Sequence, residues 1–193
     1  VTTTPRTPTP RHVVVMGVSG TGKSTVADAI ADHLPGMLVE GDSFHPQANI
    51  DKMAAGEPLD DDDRRPWLKS LSAEIARLDV EGQTGVIACS SLKRIYRDWL
   101  REGVEELFFV HLHTDYEVLD QRMSERKGHF MPPSLLKSQF ETLEPLQDDE
   151  LGVKIDVRNP PYEVVVRSLA ALASVGLQPQ TQGERDIGPT WRP

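Results

Sequence analysis

Residues 17–24 read Gly17-Val18-Ser19-Gly20-Thr21-Gly22-Lys23-Ser24, with Thr25 next. This is G-x-x-x-x-G-K-S, a spacing that wraps backbone amides around the phosphates of a nucleotide. The glycines permit tight turns and let amide groups approach an anion closely. Lys23 is placed to reach the β- and γ-phosphates, and the Ser24 hydroxyl can bind Mg²⁺.

Further residues suited to phosphoryl chemistry recur along the chain. Asp42, in Glu40-Gly41-Asp42-Ser43-Phe44-His45, is a carboxylate that could take a proton from a hydroxyl or hold a Mg²⁺-bound water. A turn-forming Asx residue is the plainer alternative. His45 could donate to a substrate oxygen or merely open the helix that carries Lys52. The run Asp60–Asp63 suits a helix start, where carboxylates complement the dipole. Arg64 and Arg65 follow at once. One of them could take a substrate carboxylate, or both could neutralise the aspartates.

Cys89-Ser90-Ser91-Leu92-Lys93-Arg94-Ile95-Tyr96-Arg97 holds no aspartate of the Walker B type. Mg²⁺ would then rely on Ser24, phosphate oxygens, water and Asp42. Ser91 lies near a helix start, which favours an anion. Lys93, Arg97 and Arg101 share one helical face. They form either a solvated stripe or a ligand set, with Lys93 and Arg97 the nearer to the strand end. Cys89 has no base beside it and reads as a small core residue. Arg122 and Arg126 also share a face, and Lys127-Gly128-His129 follows. Gly128 and Pro132-Pro133 suggest a hinged lid carrying cations towards the phosphates. An ordinary basic helix end is the alternative.

The elements that must position these residues alternate. Short apolar runs at 13–17, 37–40, 85–89, 106–112 and 153–157 read as strands. Helical spacing appears at 23–34, about 46–55, 62–79, 92–101, 115–126, 133–143 and 161–174. Such alternation implies a parallel sheet covered on both faces, with ligands outside the carboxyl ends of its strands. The chemistry-bearing residues fall just after each strand. The loop 156–161 could touch a nucleotide base or be a simple turn.

The 193 residues favour one domain, expected over 12–175, with a lid at about 122–140 and tails at 1–11 and 176–193. Trp191 is an odd aromatic in the second tail. A net charge of −9 argues against a general nucleic-acid binder. The single cysteine excludes an intrachain disulfide and fits a cytoplasmic setting. Neither a membrane span nor a signal peptide is expected.

Several separated strings resemble the gluconokinases, a family of P-loop small-molecule kinases: MGVSGTGKST, EGDSFHPQANIDKMAAGEPLDDDDRRPWL, ACSSLKRIYRDWLR and RKGHFMPPSLLKSQFETLEPL. The likeness covers roughly residues 12–172. Many NTPases share the first string; the second and fourth are specific. The resemblance implies an α/β P-loop NTPase fold, with a five-stranded parallel sheet in order 2-3-1-4-5 and a mobile lid, similar to shikimate and nucleoside-monophosphate kinases. It implies ATP- and Mg²⁺-dependent phosphorylation of D-gluconate on its 6-hydroxyl.

By the same resemblance, Gly17 and the loop from Ser19 to Thr25 bind ATP, with Lys23 on the transferred group. Asp42 faces the gluconate hydroxyl. His45, Lys52, Arg64, Lys93 and Arg97 line the acid's pocket, and Ser91 is added as a substrate contact from its helix start. Arg122 flanks the adenine, and Arg126, Lys127 and His129 close on the phosphates and substrate. Family members are often homodimers, although no interface stripe stands out here. The competing readings are a kinase for another small acceptor such as shikimate, and a nucleotide-binding module without turnover.

Overall fold

The computed structural model describes residues 9–104, 106–125 and 133–179. Val13, Val14 and Val15 in strand β1 (His12–Met16) are fully buried, because β1 lies at the middle of the sheet with helices on both faces. The other strands are β2 (Met37–Glu40), β3 (Gly85–Ala88), β4 (Leu107–His113) and β5 (Gly152–Asp156). Their order is β2-β3-β1-β4-β5, and every pairing is parallel. This is the order expected from the resemblance.

Alternate residues of the strands feed two cores. Val14, Met16, Ile87 and Phe109 pack against Trp67, Leu68 and Leu71 of α3 (Asp61–Val80) and Tyr96 and Leu100 of α4 (Arg94–Arg101). Val13, Val15, Val86 and Val110 pack with Val26 and Ile30 of α1 (Lys23–His33) and Val164 and Leu172 of α7 (Pro161–Ser174). The remaining helices are α2 (Gln47–Ala54), α5 (Tyr116–Glu125) and α6 (Pro133–Thr142). Among the described residues, no helix is long and apolar enough to cross a membrane.

Helix boundaries have local causes. Asp60 accepts the Asp63 N–H at 2.8 Å while the Asp63 carboxylate accepts the Asp60 N–H at 3.0 Å, a closed capping box for α3. The aspartate run is therefore largely a helix start, as its dipole argument required. α4 begins at Arg94 and not at 92, because Ser91 adopts a left-handed backbone (φ +46°) and Lys93 is extended. Between β2 and α2 the structure adds a 3-10 turn, Gly41–Phe44, too short for periodicity to reveal.

Candidate active site

The carboxyl ends of the strands bring three loops together. The first follows β1. Gly17 has φ +141°, and a Cβ there would meet the Leu112 carbonyl oxygen at 2.4 Å, so this position needs glycine. The Gly17 N–H donates to the Ser90 carbonyl across the strand ends. Gly22 takes the left-handed conformation that starts α1 and turns the amides inward. Lys23 Nζ donates to the Val18 carbonyl at 3.1 Å, folded back over its own loop. Burial pushes the Lys23 ammonium below its usual range, although Asp42, Cys89 and Glu40 pull it back up.

A narrow cavity of about 80 Å³ opens beside this loop. Ser19, Lys23, Asp42, His45, Arg64 and Ser90 line it, with Gln139 from α6 among the residues on the far side. Asp42 is exposed, while the His45 side chain is only 4% exposed. Their facing atoms, Asp42 Oδ1 and His45 Nε2, are 3.8 Å apart. The His45 ring stacks on Trp67 with centroids 3.9 Å apart, and Trp67 Nε1–H donates to the Gly41 carbonyl at 2.7 Å. Burial lowers the His45 pKa and Arg64 adds to that, against the opposing pull of Asp42.

A second, wider groove of about 440 Å³ lies on the other side of the glycine loop. Gly20, Thr21, Gly22, Thr25, Arg122, Val157 and Asn159 line it. The Arg122 guanidinium donates to the Val157 carbonyl at 2.8 Å, which ties α5 to the loop after β5. Ser19, Lys23 and Asp42 thus face one chamber, and the rest of the glycine loop faces another. A phosphoryl donor in the groove and an acceptor in the cavity would meet at Lys23.

The Ser24 hydroxyl donates to Glu40 Oε2 at 2.9 Å, setting a hydroxyl and a carboxylate side by side at the end of β2. Hard oxygen donors of this kind suit Mg²⁺. No group of three or more His, Cys, Asp or Glu among the described residues could hold a metal unaided. An ion here would depend on phosphate oxygens and water for its remaining ligands.

Comparison with known proteins agrees with this geometry. The family described as an AAA domain matches residues 13–131. The thermoresistant gluconokinase of Escherichia coli is 44% identical over 163 residues, which is 84% of this chain and 93% of that protein. The gluconokinase of Gluconobacter oxydans is 47% identical over 161 residues, 83% of this chain and 89% of that protein. The chain belongs to the gluconokinase family. Solved structures agree: a gluconokinase from Sinorhizobium meliloti superposes with a TM-score of 0.79 at 48% identity, covering 86% of this chain and 94% of that one. A sugar kinase from a Janibacter species gives 0.82 at 48%, covering 86% and 98%.

The residues expected to line the acid's pocket do not all converge. Asp42, His45 and Arg64 line the cavity. Arg65 does not; its guanidinium sits over the Trp99 ring at 5.3 Å. Arg97, expected as a ligand, lies in α4 and is fully buried. It grips Glu150 through two 2.7 Å bonds and donates to the carbonyls of Ser91, Leu92, Glu144 and Pro145. Every polar hydrogen-bonding nitrogen of its guanidinium is engaged there, so Arg97 braces the loop after β3 and does not face the cavity. Ser91 is likewise buried off the cavity, and its neighbour Ser90 takes the lining position.

Lys52 is held by both carboxylate oxygens of Asp63 at 2.8 Å, away from the cavity. Lys93 pairs with Asp61 at 2.8 Å and faces an adjoining open groove with Tyr96 and Ser138. Tyr96 also donates to Asp61. Cys89 is buried, and burial lifts its thiol to about 11, as a core residue requires. Arg126, Lys127, His129 and Trp191 lie outside the described residues.

Three residues at the site, Glu40, Ser90 and Gln139, escape a reading of the sequence, as does Asn49, which lies behind His45. Glu40 could have been found from its place at a strand end, two residues before Asp42. Gln139 had no local signal. Its side-chain oxygen accepts the Ser19 N–H at 2.7 Å from 120 residues away. A carboxamide oxygen thus occupies an amide of the phosphate loop, at the boundary of the two chambers.

Proposed function

We propose that this chain transfers the γ-phosphoryl group of ATP to the 6-hydroxyl of D-gluconate, giving 6-phospho-D-gluconate. The observation that carries this reading is the meeting of Lys23 and Asp42 in one cavity beside the phosphate loop, in a member of the gluconokinase family. ATP would lie with its base in the groove near Arg122 and Asn159 and its phosphates along residues 19–25. Lys23 neutralises charge on the transferred group; its lowered pKa in the free protein reflects a half-buried cation that a triphosphate would pair.

Asp42 accepts the proton of the attacking hydroxyl, and Arg64 takes the sugar acid's carboxylate. Transfer needs no covalent intermediate, so the residues position and neutralise. Ser24 and Glu40 would hold Mg²⁺ together with the phosphates, and the ion would supply neutralisation of the phosphate charge. The segment 122–140 acts as a lid, and Arg126, Lys127 and His129 bring cations and a donor over the phosphates and the acid. A cytoplasmic setting and a homodimer complete the reading; light scattering of the purified protein tests the dimer.

A coupled assay of ADP release against gluconate, other aldonic acids, shikimate and AMP tests the function. The expected outcome is turnover with gluconate and a product bearing phosphate at the terminal carbon by NMR. Turnover with shikimate or AMP but not gluconate would overturn it.

A further inference from the structure

Asn49 lies on α2, is 3% exposed, and reaches no substrate chamber. Its side-chain nitrogen is 2.9 Å from the Asp63 carbonyl oxygen. A carbonyl can only accept, so the nitrogen end of the amide must face it. That orients the whole carboxamide. The same nitrogen is 3.2 Å from His45 Nδ1. An amide nitrogen carries two hydrogens and has no acceptor capacity. One hydrogen goes to Asp63 and the other to His45, so Nδ1 must offer its lone pair. The proton of a neutral ring then sits on Nε2.

Stacking on Trp67, itself tied to the Gly41 carbonyl, fixes the plane of the ring, and the Asn49 contact at Nδ1 selects which edge faces α2. The charged groups facing the ring are Asp42, from the 3-10 turn, and Arg64, from α3. Nε2 is the atom that faces Asp42, at 3.8 Å.

We propose that Asn49 is a positioning residue that locks His45 as the Nε2–H tautomer, so that His45 donates to the acceptor hydroxyl beside Asp42. The inference rests on the gluconate reading for its substrate, although the tautomer itself follows from the free protein. Asp42 and His45 then form an acceptor and a donor close enough to share one oxygen. An alcohol fits such a pair, because its oxygen can donate to the carboxylate while accepting from the imidazole. Proton removal belongs to Asp42 alone, and His45 holds the oxygen lone pair that Asp42 does not need. Asn49 acts only through His45.

The test begins with nitrogen-15 NMR of the histidine rings in the full-length protein without ligands. His45 is expected neutral, protonated on Nε2; protonation on Nδ1 would overturn the proposal, whatever the enzyme's activity. Asn49→Asp is nearly isosteric and sets an acceptor against Nδ1. It should move the proton to Nδ1 and raise the gluconate KM about tenfold, with the ATP KM within about twofold. An unchanged ring signature and unchanged gluconate KM would sink the idea.

Should that variant fail to fold, His45→Gln supplies an N–H donor that does not depend on Asn49. Asn49→Ala should then cost less gluconate affinity in the His45→Gln background than in the native one. Equal costs would make Asn49 merely structural. Absence of gluconate turnover with an Nε2–H ring would defeat the functional reading and leave the tautomer lock standing.

Discussion

Arg64, early in α3, and Arg97, early in α4, are both buried arginines, yet they serve different regions. Arg64 stands on the cavity wall. Its Nε–H reaches the Leu59 carbonyl at 3.2 Å, its guanidinium lies over Tyr96 at 5.4 Å, and one side stays open to the cavity. Arg97 is enclosed by Glu150 and four carbonyls. Arg94 and Arg101 crowd the same carboxylates, pairing with Asp149, Asp98 and Glu150. The difference teaches that a basic residue near a ligand site is available only if no carboxylate of the fold already claims it. The stretch 144–150 arrives from α6 and claims Arg97; among the described residues nothing comparable closes over Arg64.

The comparison can be broken first at the cavity. Asp42→Asn should lower kcat by about 10²–10⁴-fold, the usual worth of a general base, with ATP affinity nearly unchanged. Steady-state kinetics and calorimetry measure the two. Near-normal turnover would remove Asp42 from proton transfer.

Arg97→Leu attacks the other region. It strips the buried Glu150 of two of its hydrogen bonds, leaving Arg101 and the Gln147 N–H, and takes the guanidinium donor from four carbonyls; it should cost about 3 kcal/mol of stability in urea unfolding. At a temperature where the variant remains folded, its gluconate KM should stay close to native. A large rise in KM without loss of stability would return Arg97 to the pocket.

Acid titration sharpens the contrast without mutation. Burial would push the Glu150 carboxyl up, but hydrogen bonds from Arg97 and Arg101 outweigh it and bring it down to about 2. Its folded pKa lies below the unfolded 4.5, so its stabilisation is complete above that value and is lost between pH 4.5 and about 2. That loss amounts to about 3 kcal/mol. His111, buried in β4 with neither ring nitrogen hydrogen-bonded among the described residues, is lowered to about 4, mainly by burial. Here the unfolded chain binds the proton first. Stability therefore falls as pH drops from 6.5 to about 4, again by about 3 kcal/mol. His111→Leu should flatten the upper window and leave the lower one. Urea midpoints measured across pH 3–7 decide it.

Arg64→Lys should raise the gluconate KM about 10–100-fold, since an ammonium cannot grip a carboxylate in two places. Urea unfolding should show little loss. The smallest effect is expected at Lys52→Ala. Its pairing with Asp63 is partly exposed, and gluconate KM should move less than about threefold. A larger shift would put Lys52 back among the ligands.

The fold and the donor loop were legible in the chain because their signals are local. Five apolar runs separated by helical spacing suffice for a parallel sheet, and the glycines at 17, 20 and 22 fall where the backbone must turn. Asp42 and His45 could be singled out for a similar reason: they follow a strand end directly. Arg97, Ser91 and Lys93 were misleading. Their place along the chain is right, but helix phase and the left-handed Ser91 turn them away from the cavity. Gln139 and Asn49 carried no chemistry of their own to notice.

By itself, then, the sequence determined the order of elements, the phosphate loop and the carboxylate beside it, since each depends on neighbours a few residues apart. Only the tertiary structure decided which cations face the cavity, what occupies the Ser19 amide, and which nitrogen of His45 bears the proton. Those outcomes depend on partners brought together by packing, 53 residues apart for Arg97 and Glu150 and 120 apart for Ser19 and Gln139. A buried polar group must find a partner wherever the fold supplies one, and periodicity along the chain does not record that choice.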